Sequence, residues 1–111
     1  MNNRVVITGL GVVAPNGNNI TDFSHAIKKG ISGIKFDEEL AALNFSCQIA
    51  GKPSLTAERI QKYFTELELK NLDSTGILYG VIAGMDAWQD AGLPLNESNE
   101  PFYDYGTIFG T

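Results

Sequence analysis

The chain has 111 residues, 43% of them hydrophobic and 19% charged, which suits one domain with a packed core and argues against intrinsic disorder. Its net charge of −5, with only eight Lys and Arg residues, argues against nucleic acid as a partner, because phosphate binding needs clustered cations. The one cysteine is typical of a reducing compartment, and no segment has the pattern of a membrane span or signal peptide, so we expect a cytoplasmic protein with no membrane insertion.

The first predicted element is a strand over residues 4–8, a β-branched run of the kind that is covered on both faces. Gly9 and Gly11 then predict a turn, and the Pro-Asn-Gly sequence at residues 15–17 predicts a loop. A helix is predicted to begin after the capping residue Asn19 and to end at Gly30. Its inward-facing stripe would comprise Ile20, Phe23, Ala26 and Ile27.

The middle of the chain has weaker patterns. Residues 31–37 and 46–50 are predicted to form short strands, and a Gly-Lys-Pro break follows the second of them. Thr56 is placed to cap a second helix, which would continue to about Leu69. The inward face of that helix would comprise Ile60, Tyr63, Phe64 and Leu67.

The longest predicted helix spans residues 73–91 and ends at Gly92, with Pro94 preventing its continuation. A ridge of small residues runs beside its wide apolar face. Glycine inside a helix costs about 1 kcal/mol relative to alanine, so we expect another segment to pack closely against this ridge. The ridge comprises Gly76, Gly80, Gly84, Ala87 and Ala91, and the apolar face comprises Ile77, Leu78, Val81, Ile82, Met85 and Trp88.

The last predicted element is a strand over residues 105–111. The order of strand, helix, short strands, two helices and strand indicates an α/β fold. So few strands do not close a sheet, and a sheet edge or apolar helix face without a neighbour would be exposed. We therefore expect the chain to be part of a larger body.

One motif suggests a cofactor. Residues 9–14 match Gly-x-Gly-x-x-Ala directly after a predicted strand, and Asp37 could serve as the ribose-binding acid of a dinucleotide site. In such folds the motif runs into a helix whose N-terminus holds the pyrophosphate. Here Pro15 delays the helix until about Ile20, and Asp37 comes later than the usual gap of about 20 residues. We predict a tight structural turn and no cofactor, with nucleotide binding as an alternative.

The other residues that could take part in catalysis or metal binding lack the neighbouring groups that such a role needs. Cys47 has no nearby histidine, cation or helix start to stabilise a thiolate, so we expect it to pack as a small residue in a short strand. His25, the single histidine, cannot form a metal site alone and is predicted to face solvent. The carboxylates, including Asp37, Asp86 and Asp90, are predicted to be mostly solvated. No catalytic, cofactor-binding or metal-binding residue is predicted.

Four segments of the chain, in order, resemble the β-ketoacyl synthases, the condensing enzymes of fatty-acid and polyketide synthesis. Residues 4–17 resemble the opening Val-Val-Ile-Thr-Gly-Leu-Gly strand and turn of that family. Residues 23–34 resemble its first helix, which ends in Gly-x-Ser-Gly-Ile, and residues 72–93 resemble the helix that ends in Asp-Ala-Gly-Leu. Residues 106–111 resemble the next core strand.

This resemblance implies a thiolase-like fold, in which two similar α/β halves stack in αβαβα layers. Residues 1–111 would be the front portion of the first half, truncated before the catalytic segment. The family's reaction is a decarboxylative Claisen condensation of an acyl thioester with malonyl-acyl carrier protein. It uses an active-site cysteine that carries the acyl group and two histidines that assist decarboxylation. None of the three matches a residue of this chain, and Cys47 is not the catalytic cysteine, so the chain alone is expected to be inactive.

The resemblance also implies acyl carrier protein as a partner and a parent enzyme that is a homodimer or a heterodimer. Members that dock the carrier often have basic residues just before the position of Leu72 and Asp73. In this chain only Lys70 fits, and it follows Glu66 and Glu68. An acidic carrier would be attracted less strongly. A non-catalytic partner subunit of a ketosynthase heterodimer is therefore a further alternative.

Overall fold

The computed structural model describes residues 2–110, which form a mixture of helices and strands, in agreement with the predicted mixed α and β content. In chain order the elements are α1 (Ile20–Lys29), β1 (Ile34–Phe36), α2 (Glu38–Ala42), β2 (Ile49–Gly51), α3 (Ala57–Gln61), α4 (Glu66–Lys70) and α5 (Thr75–Asp90). Strands β1 and β2 pair antiparallel, with Ile34 opposite Gly51 and Phe36 opposite Ile49. Helix α2 lies in the connection between these two strands.

Helix α1 begins and ends where its capping residues predict. The Asn19 side chain accepts a hydrogen bond of 2.9 Å from the Asp22 N–H, and Gly30 takes a left-handed conformation with φ 66°. Of the predicted inward stripe, only Ala26 is fully buried, and Ile27 is exposed. The prediction of a continuous buried stripe is therefore wrong, because the described residues do not cover that side of the helix.

Helix α5 is the longest element, with 16 residues, and its side chain Ile82 is completely buried. It begins at Thr75, after the capping residue Ser74 and two residues later than predicted, and Gly92 follows its end with φ 67°, as predicted. No helix among residues 2–110 is long and apolar enough to cross a membrane. The N-terminal turn, through Gly9 and Gly11, and Arg59 of α3 both contact α5.

The small-residue ridge of α5 is covered by two segments, as predicted. A β-carbon on Gly11 would overlap the carbonyl oxygen of Ala83, and one on Gly9 would lie 2.8 Å from the Ala91 β-carbon. The backbone of this N-terminal turn therefore lies directly on the helix backbone, an approach that only glycine permits. Further along the ridge, the side-chain ring of Phe109 packs over Gly80 and Gly84, and its nearest atoms lie 3.4 Å from the position of each added β-carbon.

The predicted second helix is divided in two. Thr56 caps α3, as predicted, but Thr65 begins a new helix, α4, through a capping box in which Glu68 accepts from the Thr65 N–H at 2.8 Å. The single helix to Leu69 is thus wrong, because the local cap outweighs the continuous apolar pattern. Leu67 is 71% exposed rather than inward-facing. Helix α2 was not predicted from the sequence.

The two terminal segments are not strands. Residues 4–8 and 106–110 have no strand assignment, and Val5 and Ile108 are 95% and 100% exposed. A strand needs a neighbour to pair its backbone groups, and the described residues supply none for either segment. Thr111, the last residue of the second predicted strand, lies outside the described residues. Strands β1 and β2 are also shorter than predicted, with three residues each.

Replacing Gly11 by alanine is expected to destabilise the fold by about 1–3 kcal/mol, because the added carbon must displace the backbone of α5. Urea unfolding monitored by the fluorescence of Trp88 measures the change. The matched control is Gly106→Ala, since no atom lies within 4 Å of a β-carbon there. Equal midpoints for the two variants would show that the turn does not rest on the helix as described.

Candidate functional site

Asp86, on the face of α5 that Arg59 of α3 contacts, has three side chains from residues 59–63 as partners. Its side chain is 16% exposed and forms a two-point ion pair with Arg59, whose Nη1 lies 2.9 Å from Oδ1 and whose Nη2 contacts Oδ2. The same guanidinium donates from Nε and Nη2 to the carbonyl of Asn18, at 3.3 and 2.8 Å. Arg59 therefore ties α3 both to α5 and to the loop before α1.

Tyr63 and Lys62 extend this arrangement from the turn after α3. The Tyr63 hydroxyl donates to Asp86 Oδ1 over 2.6 Å and lies 3.0 Å from Gln89 Oε1. That oxygen accepts from Lys62 Nζ at 3.1 Å, and Lys62 Nζ also lies 4.8 Å from the centre of the Tyr63 ring. We call these five residues, Arg59, Lys62, Tyr63, Asp86 and Gln89, the Asp86 cluster.

The electrostatics of the cluster favour the ionised carboxylate. Burial raises the pKa of Asp86, but the hydrogen bonds from Arg59 and Tyr63 and the charges of Arg59 and Lys62 outweigh it, so the pKa lies below its usual value. The hydrogen bond to Asp86 is the largest influence on Arg59 and raises the pKa of its guanidinium. The prediction that Asp86 is solvated is therefore wrong, because its partners come from a distant part of the sequence.

The next carboxylate on α5 holds the N-terminal turn. Asp90 Oδ2 accepts a hydrogen bond of 2.9 Å from the backbone N–H of Leu10, between the two packed glycines. A shallow cavity of about 370 Å³ is lined both by this attachment and by four members of the Asp86 cluster. Among the described residues, no buried side-chain nitrogen or oxygen lacks a hydrogen-bond partner, so the cavity presents no buried polar group free to bind a ligand.

The glycines of the dinucleotide-like motif serve packing instead of phosphate binding. Both lie against the α5 backbone, and Ala14 and Gly17 then close a tight turn through paired hydrogen bonds of 2.9 and 3.1 Å. The first helix begins only at Ile20, so no helix N-terminus adjoins the motif. The predicted structural turn is confirmed, and the nucleotide alternative loses its basis.

Asp37, the proposed ribose-binding acid of that alternative, has a structural role. Its side chain is 7% exposed and caps α2, accepting from the N–H groups of Glu39 and Leu40, both at 3.0 Å. Lys52 Nζ lies 2.6 Å from the other carboxylate oxygen. The hydrogen bond from Lys52 and those from the backbone hold the pKa of Asp37 below its usual value. The prediction that Asp37 is solvated is wrong.

The remaining candidate residues, Cys47, His25 and Lys70, lie in three different segments of the chain. Cys47 is exposed and precedes β2, so the prediction that it packs within a strand is wrong. His25 is exposed on α1, as predicted, and Lys70 is exposed at the end of α4. Across residues 2–110, no group of three or more His, Cys, Asp and Glu side chains could hold a metal ion. The site that the sequence did not predict is the Asp86 cluster.

Comparison with known proteins gives a consistent result. The sequence matches the family described as Beta-ketoacyl synthase, N-terminal domain, over residues 2–111. It is 37% identical over 105 residues to 3-oxoacyl-[acyl-carrier-protein] synthase 2 of Coxiella burnetii, which covers 88% of this chain and 23% of that protein. The protein of the same name from Vibrio cholerae is 35% identical over 96 residues, or 86% of this chain and 22% of that protein. The Staphylococcus aureus (strain COL) protein is 33% identical over 98 residues, covering 87% and 23%. The chain thus spans less than a quarter of the length of these relatives.

The stability of the fold is expected to fall in acid. A carboxylate whose pKa is lowered by folding contributes stability that is complete above its unfolded pKa, here 3.8, and is lost as the pH falls through the lower folded value. Unfolding in urea at a series of pH values, for the natural chain and for Asp86→Asn, measures this contribution. The stability difference between the two should be largest near neutral pH and shrink as Asp86 is protonated.

The control for this titration is Asp104→Asn, which removes an exposed carboxylate outside the cluster. Its pH profile should follow that of the natural chain. A stability difference for Asp86→Asn that stays constant across the acid range would contradict the assignment of Asp86 as an ionised partner of Arg59.

Proposed function

Because the chain belongs to the β-ketoacyl synthase family through its N-terminal domain, we propose that the full-length protein is a 3-oxoacyl-[acyl-carrier-protein] synthase. Its reaction would be the decarboxylative condensation of an acyl thioester with malonyl-acyl carrier protein, in fatty-acid or polyketide synthesis. The observation that carries this proposal is the family match over residues 2–111, together with relatives that all bear the synthase name.

Residues 1–111 would then form the front portion of a thiolase-like αβαβα fold, and the catalytic cysteine and histidines would lie outside them. The role of residues 1–111 would be structural, since the glycine turn and the Asp86 cluster hold two segments against α5. Exposed apolar segments such as residues 4–8 would be covered by the rest of that fold or by a second subunit of the dimer. The full-length protein would work in the cytoplasm.

Lys70 is the residue we propose for contact with the carrier protein. It is exposed at the C-terminal end of α4, where a cation also favours the helix dipole. The same short helix has two carboxylates, Glu66 and Glu68, so an acidic carrier meets both attraction and repulsion there. We expect docking that is weak and sensitive to salt, since exposed charges are screened.

This acidic α4 also favours a second candidate, a non-catalytic partner subunit in a ketosynthase heterodimer. In that role the protein would retain the fold and would not itself need to bind the carrier tightly. The two candidates differ in whether the full-length protein catalyses condensation by itself.

The full-length protein is expected to release carbon dioxide and form a lengthened β-ketoacyl product from acyl- and malonyl-carrier substrates. Residues 1–111 alone should release none above background, because no residue at the family's catalytic positions is present. Release from labelled malonyl carrier measures both. A folded full-length protein that becomes active only with a second synthase subunit would replace the first candidate with the second, and release by residues 1–111 alone would contradict the assignment of the catalytic residues.

Replacing Lys70 by glutamate is expected to raise the KM for acyl carrier protein several-fold with little change in kcat, because it reverses the one cation of α4. Steady-state kinetics at low ionic strength provide the measurement. Lys28→Glu, an equal charge change in the last turn of α1, is the control. Equal KM values for the two variants would remove Lys70 from the carrier interface.

A further inference from the structure

The segment from α3 to α4, residues 57–70, has few apolar contacts with the rest of the molecule. Neither helix contains a fully buried residue. Ile60 and Phe64 are partly buried, whereas Leu67 is mostly exposed. Apolar burial is the usual means by which a helix is fixed to its neighbour, and here it is limited. The attachment of this segment must therefore depend strongly on polar contacts.

The largest share of those polar contacts converges on one carboxylate, although Arg59 also donates to the carbonyl of Asn18. Arg59 and Tyr63, both from the 57–70 segment, contact the two oxygens of Asp86, and Lys62 Nζ lies 3.9 Å from Oδ1. Hydrogen bonds to an ionised carboxylate are stronger than those between neutral groups. Gln89 lies one turn further along α5, and its side-chain oxygen accepts a hydrogen bond from Lys62 Nζ, which adds a weaker contact. Asp86 is the residue of α5 that contacts the most side chains of the 57–70 segment, namely Arg59, Lys62 and Tyr63.

The ends of α5 do not depend on Asp86. Ser74 caps its start, Gly92 ends it, and Trp88 Nε1 donates to the carbonyl of Pro94 at 3.0 Å. On the other side of the contact, Tyr63 stands two residues before Thr65, the cap of α4. The bond from the Tyr63 hydroxyl to Asp86 therefore holds the start of α4 close to α5, and through that helix it influences where Lys70 lies.

We propose that Asp86 is a positioning residue that latches the 57–70 segment to α5 and so sets the placement of α4 for carrier docking. Loss of the Asp86 contacts releases the segment from α5, with Arg59 still bonded to Asn18, and leaves α5 folded. The latch itself follows from the contacts above, and its effect on the carrier rests on the function proposed for Lys70.

Hydrogen exchange of the full-length protein tests the latch without any assay of catalysis. In Asp86→Asn, amides of residues 57–70 should exchange about tenfold faster or more, the scale set by loss of a charged hydrogen bond, whereas amides of α5 keep their protection. Tyr63→Phe, which removes a single hydroxyl, should give a smaller change confined to the same segment. Asp104→Asn is the control and should change neither segment. Equal acceleration in residues 57–70 and α5, or none in residues 57–70, would overturn the latch.

Kinetics then test its effect on docking. The KM of Asp86→Asn for acyl carrier protein should rise several-fold, while kcat, and the rate with a short acyl thioester that lacks the carrier, stay unchanged. A merely structural role would lower the rates with both substrates alike and would contradict positioning. Faster exchange with an unchanged KM would overturn the carrier part and leave the latch in place. If the natural full-length protein catalyses no condensation, the proposed function fails, and the exchange result still decides the latch.

Discussion

The approach of the N-terminal turn to α5 is the constraint on which the rest of the structure depends. Without β-carbons at Gly9 and Gly11, backbone lies against backbone at Ala83, Ala87 and Ala91. No side chain separates the two segments, so the position of the turn is set by the helix alone. The loop that follows then places Asn18 beside Arg59 and brings α1 to its start at Ile20. A substitution in the turn is therefore expected to shift the loop that follows it and the start of α1 as well.

Polar contacts have an unusually large part in holding these elements together. Of the hydrophobic side chains that the structure describes, only Ala26 and Ile82 are fully buried. Asp37 and Asp86 each accept hydrogen bonds from several donors. The partners of Asp86 all come from residues 59–63, so this carboxylate joins that stretch to α5, whereas Asp37 joins the start of α2 to Lys52.

The sequence predicted those elements whose signals are local. Asn19 and Gly30 bound α1, and Gly92 ends α5, because capping depends on residues within one turn of the helix end. The ridge on α5 likewise predicted close packing. The terminal strands were wrong because strand formation depends on a neighbour that no local pattern specifies. The sequence did not predict the Asp86 cluster for a similar reason. Arg59 and Asp86 are 27 positions apart, and each is a charged residue of a type usually found at the surface. The capping box at Thr65 could have been found, because Thr and Glu stand three residues apart.

The attachment of the N-terminal turn has a consequence for how the protein is made. Leu10 and Asp90 lie 80 positions apart in the chain, so the turn cannot reach its place until α5 has been synthesised. At ribosomal rates of about 5–20 residues per second, that delay is about 4–16 seconds. Throughout this interval the N-terminal turn has no α5 backbone to pack against. The turn is thus synthesised before, and fixed only after, the helix on which it rests.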